Sequence, residues 1–129
     1  MTEMNAERRV CNLQPGDMFH AVNVNGGSWI SLVVSVEGRK ARARRITTQE
    51  TAVFDLDTAV ATVGLSHSLC VIDCVKPLPP ELHTAMLAFD EWTRLAPSLP
   101  FRTLTLEERD AIRNVQRFYK QFSMLQPSP

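Results

Sequence analysis

The sequence predicts an α+β fold: a small antiparallel β-barrel or curled sheet of about five to six short strands, followed by two α-helices. Three observations carry this expectation. Up to about residue 76, apolar residues alternate with period two over short runs, and Gly, Pro, Asn and Asp separate the runs. The proline cluster Pro77-Leu78-Pro79-Pro80 ends that pattern. Beyond it, apolar residues recur at helical spacing in two segments. Strands first and helices afterwards is the α+β order; strands alternating with helices would predict a parallel sheet.

Residues 1–12 read as a flexible arm and Leu13-Gln14-Pro15-Gly16-Asp17 as a turn. Met18 to Val24 forms a first strand, with Met18, His20, Val22 and Val24 on one face. Asn25-Gly26-Gly27 turns the chain into a hairpin from Trp29 to Ile46. Its first arm alternates Ile30, Leu32, Val34 and Val36 with Trp29, Ser31, Val33 and Ser35. Glu37-Gly38 makes the tight turn, because Gly accepts the positive φ of short hairpins. The return arm is Arg39, Lys40, Ala41, Arg42, Ala43, Arg44, Arg45, Ile46. Strict alternation there points Ala41, Ala43 and Arg45 inward and Ile46 outward. Burying an unpaired arginine is costly, so a β-bulge or strand end is expected at Arg44-Arg45.

Short strands follow at Thr51–Phe54, Thr58–Leu65 and Leu69–Val75, with Asp55-Leu56-Asp57-Thr58 as a side-chain-capped turn. Pro80 suits the first turn of a helix in which Leu82, Ala85, Met86, Phe89 and Trp92 share helical spacing up to about Leu95. Ala96-Pro97-Ser98-Leu99-Pro100 breaks it. Thr105 with Glu108 three residues later is a capping-box signature for a second helix to about Phe122. Its apolar stripe is Ala111, Ile112, Val115, Phe118, Tyr119 and Phe122. The resulting organisation is a β-rich part over 13–76, a two-helix part over 77–125 packed on the sheet or on a partner, and a tail at 126–129.

At 129 residues, with 44% hydrophobic and 22% charged residues, the chain suits one globular domain. Met1 to Arg9 has no apolar stretch of a signal peptide, and no apolar run approaches the ~20 residues that span a bilayer. No membrane contact and a cytoplasmic location are the expectations. Three cysteines, Cys11, Cys70 and Cys74, fit reduced thiols.

Net charge is zero, but the charges are segregated. Residues 39–45 hold five positive charges and no acid. Glu50, Asp55, Asp57, Asp73, Glu81, Asp90 and Glu91 then face only Lys76, and Arg94, Arg102, Arg109, Arg113, Arg117 and Lys120 dominate the end. Neutrality argues against a general polyanion binder and leaves local basic sites open. On a regular strand Lys40, Arg42 and Arg44 project from one face at ~6.6 Å spacing, matching phosphates or a row of acids. Arg39 and Arg45 flank them. A solvated, charge-guarded edge strand is the plainer alternative. Arg109, Arg113 and Arg117 form a second basic stripe opposite the apolar face of the last helix. Trp29 beside flexible glycines and Trp92 at the rim of its helix stripe are candidate interface anchors, with core packing as the plainer reading.

No catalytic set emerges. His20, His67 and His83 lie in three elements, and Ser66-His67-Ser68 lacks a triad partner or oxyanion donors nearby. Cys70 and Cys74 sit ~13 Å apart on a strand, too far for one zinc. Phosphate-binding glycine motifs are missing, so no cofactor or metal is expected. The leading expectation is a small non-catalytic interaction module (an adaptor, inhibitor or assembly factor) that binds a protein partner or a second copy of itself through the basic hairpin arm and an aromatic-bearing helix surface. The alternative is a nucleic-acid-binding regulator using Arg39, Lys40, Arg42, Arg44 and Arg45 with Arg109, Arg113 and Arg117.

Overall fold

A computed structural model of the chain describes residues 10–23, 26–63, 68–95 and 104–122. Six antiparallel strands form one sheet: β1 (Met18–Asn23), β2 (Ser28–Glu37), β3 (Lys40–Arg45), β4 (Thr51–Asp55), β5 (Val60–Val63) and β6 (Ser68–Cys74). Helices α1 (Pro80–Leu95) and α2 (Leu106–Gln121) follow. The hydrogen-bonded order is β4-β3-β2-β1-β6-β5. β6 therefore returns to β1, and β4 and β5, linked by one turn, lie side by side. The sheet is a nearly closed barrel, and the expected α+β fold is the observed one. Residues 1–9 of the arm expected over 1–12, Val24-Asn25, the Ser66-His67 pair, the break at 96–100 and the tail at 126–129 lie outside the described residues.

Closing so few strands leaves little interior volume, and the sequence fills it with small residues against a few large ones. Ala21, Ala41, Ala43, Ala52 and Ala61 share the interior with Phe19, Val33, Phe54, Ile72 and Leu13. Phe19 and Phe54 meet edge to face at 5.1 Å. The outer face of β1 and β2 is apolar as well. Met18, Ile30, Leu32, Ile46 and Cys74 pack against Leu78, Met86 and Phe89 on the α1 side and Val115 and Tyr119 of α2. Two-sided burial explains why β2 is buried without interruption from Ile30 to Val33.

Local chemistry sets the boundaries. Gly38 takes φ +59° in the β2–β3 turn. Asp55 Oδ1 accepts from the backbone N–H groups of Asp57 and Thr58, fixing the β4–β5 turn. Both halves of the Thr105–Glu108 capping box form at the start of α2.

The expected irregularity at Arg44-Arg45 is a strand end rather than a bulge. β3 does end at Arg45, and Ile46 turns into the outer core with no exposed surface. The register shift lies on the partner strand: Val33 pairs with Ala43 but Ser35 with Arg42, so Val34 is the extra residue and is exposed. Arg45 keeps its inward direction. It tolerates this because it gains partners at the barrel end, as described below. A second shift, between His20 and Ala21, makes Asp73 the extra residue of β6. Cys70 then faces the interior and Cys74 the outer core, although their even spacing predicts one face.

Candidate functional site

The basic arm is largely neutralised by the chain's own acids. Arg44, on the outer face of β3, forms a two-pronged pair with Asp90 of α1: Nε to Oδ1 at 3.0 Å and Nη2 to Oδ2 at 2.7 Å. Gln49 Nε2 adds a 3.0 Å bond to Asp90 Oδ1 and another to the Ile46 carbonyl. Asp90 is nearly buried. Burial alone would push its carboxyl up, but the Arg44 fork, the Gln49 amide and the charges of Arg44 and Arg94 hold it below the ordinary carboxylate range. Arg45 lies 3.6 Å over the Trp29 ring, donates to Glu50 at 2.8 Å and reaches Cys70 Sγ at 3.2 Å. Arg39, in the β2–β3 turn, pairs with Asp57 of the β4–β5 turn, and that exposed pair holds the Asp57 carboxyl low. Three of the five arm cations thus close contacts within the chain, and their partners come from the acidic stretch that follows the arm. Lys40 and Arg42 stay exposed, with no ion pair to a described residue.

The helix stripe differs. Arg109, Arg113 and Arg117 are exposed on α2. Arg113 meets Asp110 at 3.5 Å, and Arg117 meets Asn114 at 3.4 Å. Such surface contacts contribute ~0–1 kcal/mol each and leave the cations accessible. No described contact joins this stripe to the arm.

The two tryptophans separate in role. Trp29 is half-buried against the barrel interior beneath Arg45, with Gly27 directly against its ring. Trp92 is 48% exposed. It borders an open groove of about 320 Å³ between α1 and α2, lined by Ala85, Met86, Ala88, Phe89, Trp92, Glu107, Glu108 and Ala111. Leu95 and Leu106, at the same end of the helix pair, are 68% and 72% exposed. Sequence reading placed Ala85 in the core stripe of α1 and Trp92 at its rim, and did not separate a second, exposed apolar edge on the helix. Leu82, Ala85, Met86 and Phe89 pack against the outer core; Ala85 also borders the groove, and Ala88, Trp92 and Leu95 are exposed. The signal was present as a three-four-three spacing of apolar residues.

A polar cluster is also sealed beneath α2. The β6 bulge brings Asp73 Oδ1 to 2.6 Å from His20 Nδ1. The His20 ring lies 5.4 Å from that of Tyr119, whose hydroxyl is buried without a hydrogen-bond partner. Burial, with the negative forms of Cys74 and Asp73 nearby, pushes the Tyr119 hydroxyl pKa far up. Burial likewise pushes the Cys74 thiol up. His20 and Asp73 side chains are 12% and 8% exposed, so the pair serves as an internal tie between strands rather than a surface. Cys11, Cys70 and Cys74 are free thiols. Among the described residues, no three His, Cys, Asp or Glu side chains are placed to hold a metal ion, and no helix is long and apolar enough to cross a membrane.

Neither a family model, nor a curated protein, nor a solved structure matches this chain.

Proposed function

We propose that this chain is a small, non-catalytic, cytoplasmic interaction module that binds protein through the α1/α2 surface. The observation that carries the reading is the open apolar groove bordered by Trp92, with Leu95 and Leu106 exposed beside it. Exposed large apolar side chains grouped at one place mark docking surfaces more often than scattered ones do. A half-exposed tryptophan at a groove rim supplies the anchor such surfaces use.

A photo-crosslinking side chain placed at Ala88 tests this in the cell of origin. A discrete protein adduct, lost on Trp92→Glu, supports the reading. Adduct formation that ignores Trp92→Glu, or no adduct at all, refutes it.

A nucleic-acid reading retains one observation in its favour. Lys40 and Arg42 on β3 and Arg109, Arg113 and Arg117 on α2 remain exposed. Contacts from three to five of these to phosphates would lower affinity roughly 40- to 500-fold between 50 and 200 mM salt. Nucleic acid that co-purifies with the chain and is lost on Arg42→Glu would promote this alternative over the first.

A further inference from the structure

We infer that the occupant of the α1/α2 groove is a second copy of this chain, docked by antiparallel pairing of the two α1 helices across a two-fold axis. The inference rests on the groove being a protein-binding surface and goes on to name the partner.

The argument starts from side-chain size along α1. Ala85, Ala88, Trp92 and Leu95 repeat at three, four and three residues, the spacing of a seam between two helices. Both small residues come first and both large ones last. A two-fold interface must be complementary to itself. With the axis between Ala88 and Trp92, an antiparallel α1 places Trp92 over the other copy's Ala88 and Leu95 over its Ala85. Each large side chain then meets a small one, and each groove receives one tryptophan. A parallel pairing would set Trp92 against Trp92 and leave the alanines facing a void.

Area supports the same arrangement. Trp92, Leu95 and Leu106 are 48%, 68% and 72% exposed. They offer on the order of 350 Å² of side chain per copy, scaled from ~150–250 Å² for a large side chain. Two copies with the alanine floor and the helix flanks reach about 1,000–1,200 Å², the lower edge of specific interfaces. The expected dimer is therefore weak, with a dissociation constant of tens of micromolar as an order of magnitude.

The test is sedimentation equilibrium of the full chain over about a hundredfold range of concentration. The wild type should pass from the 14.5 kDa monomer toward twice that mass. Trp92→Ala leaves small against small, and Ala88→Trp sets large against large; both should remain monomeric. The double variant Ala88→Trp/Trp92→Ala again places large against small and should recover association. Circular dichroism and thermal melting check that each variant folds. If Ala88→Trp does not fold, Leu95→Arg at a 68% exposed position replaces it and should be monomeric. A wild type that stays monomeric throughout overturns the inference, as does association that both single variants leave intact, or a folded double variant that fails to recover it. A monomeric wild type that still gives Trp92-dependent protein adducts removes the second copy and keeps the protein-binding reading. A monomer without adducts removes both.

Discussion

Asp90→Ala should be among the most damaging single changes away from the apolar core, because it strands a largely buried guanidinium. The Asp90 and Arg44 side chains are 5% and 19% exposed, and two hydrogen bonds join them. Breaking a buried pair from one side costs ~3–5 kcal/mol. The residual exposure of Arg44 places the expectation at the low end, about 3 kcal/mol. For 129 residues the unfolding entropy near the midpoint is ~0.27 kcal/mol/K, so the melting temperature should fall by ~11 °C. Removing both charges is different. Arg44→Met/Asp90→Leu leaves no uncompensated ion and should lie within about 1 kcal/mol of wild type. Urea unfolding followed by circular dichroism measures all of them. An Asp90→Ala cost below about 1 kcal/mol, or single-variant effects that simply add in the double variant, would refute the claim that the pair is buried and coupled. A pH arm follows from the same pair. The folded Asp90 carboxyl titrates below its unfolded value of ~3.9, so its contribution is complete above that pH and is lost as pH falls through the folded value. Wild type should therefore lose stability relative to Arg44→Met/Asp90→Leu only in the acid range.

Two further outcomes are expected. Tyr119→Phe removes a buried hydroxyl that lacks a partner while keeping the ring against His20 and Phe118. It should be neutral or stabilising by up to ~1–2 kcal/mol in urea unfolding, and a loss above ~1 kcal/mol would mean the hydroxyl is bonded. Gly27→Ala places a Cβ 2.7 Å from Trp29 Cη2, so the ring and the Arg45 stacked on it must shift. A cost of ~1–3 kcal/mol is expected, with a change in Trp29 emission read in a Trp92→Phe background. Unchanged emission and stability would show that the contact relaxes freely.

The sequence by itself determined the local level: which residues are strand, turn and helix. Period-two alternation, turn residues at Gly38 and Asp55, Pro80 at a helix start and the Thr105–Glu108 box each act within a few residues. Tertiary structure decided what those elements face. The bulges at Val34 and Asp73 change register by one residue, which moves side chains to the other face of the sheet; that choice depends on the partner strand. The pairings of Arg44 with Asp90, largely buried, and Arg39 with Asp57, exposed, join distant residues, so a basic arm and an acidic stretch that read as two surfaces pair with each other within one molecule. The candidate site divided in the same way. Trp92 stood out in the sequence as an aromatic at a stripe's rim, whereas the groove beside it exists only because α2 places Ala111, Glu107 and Glu108 alongside α1. Short-range propensity fixes an element, but which of its faces stays in water is set by the packing of the others.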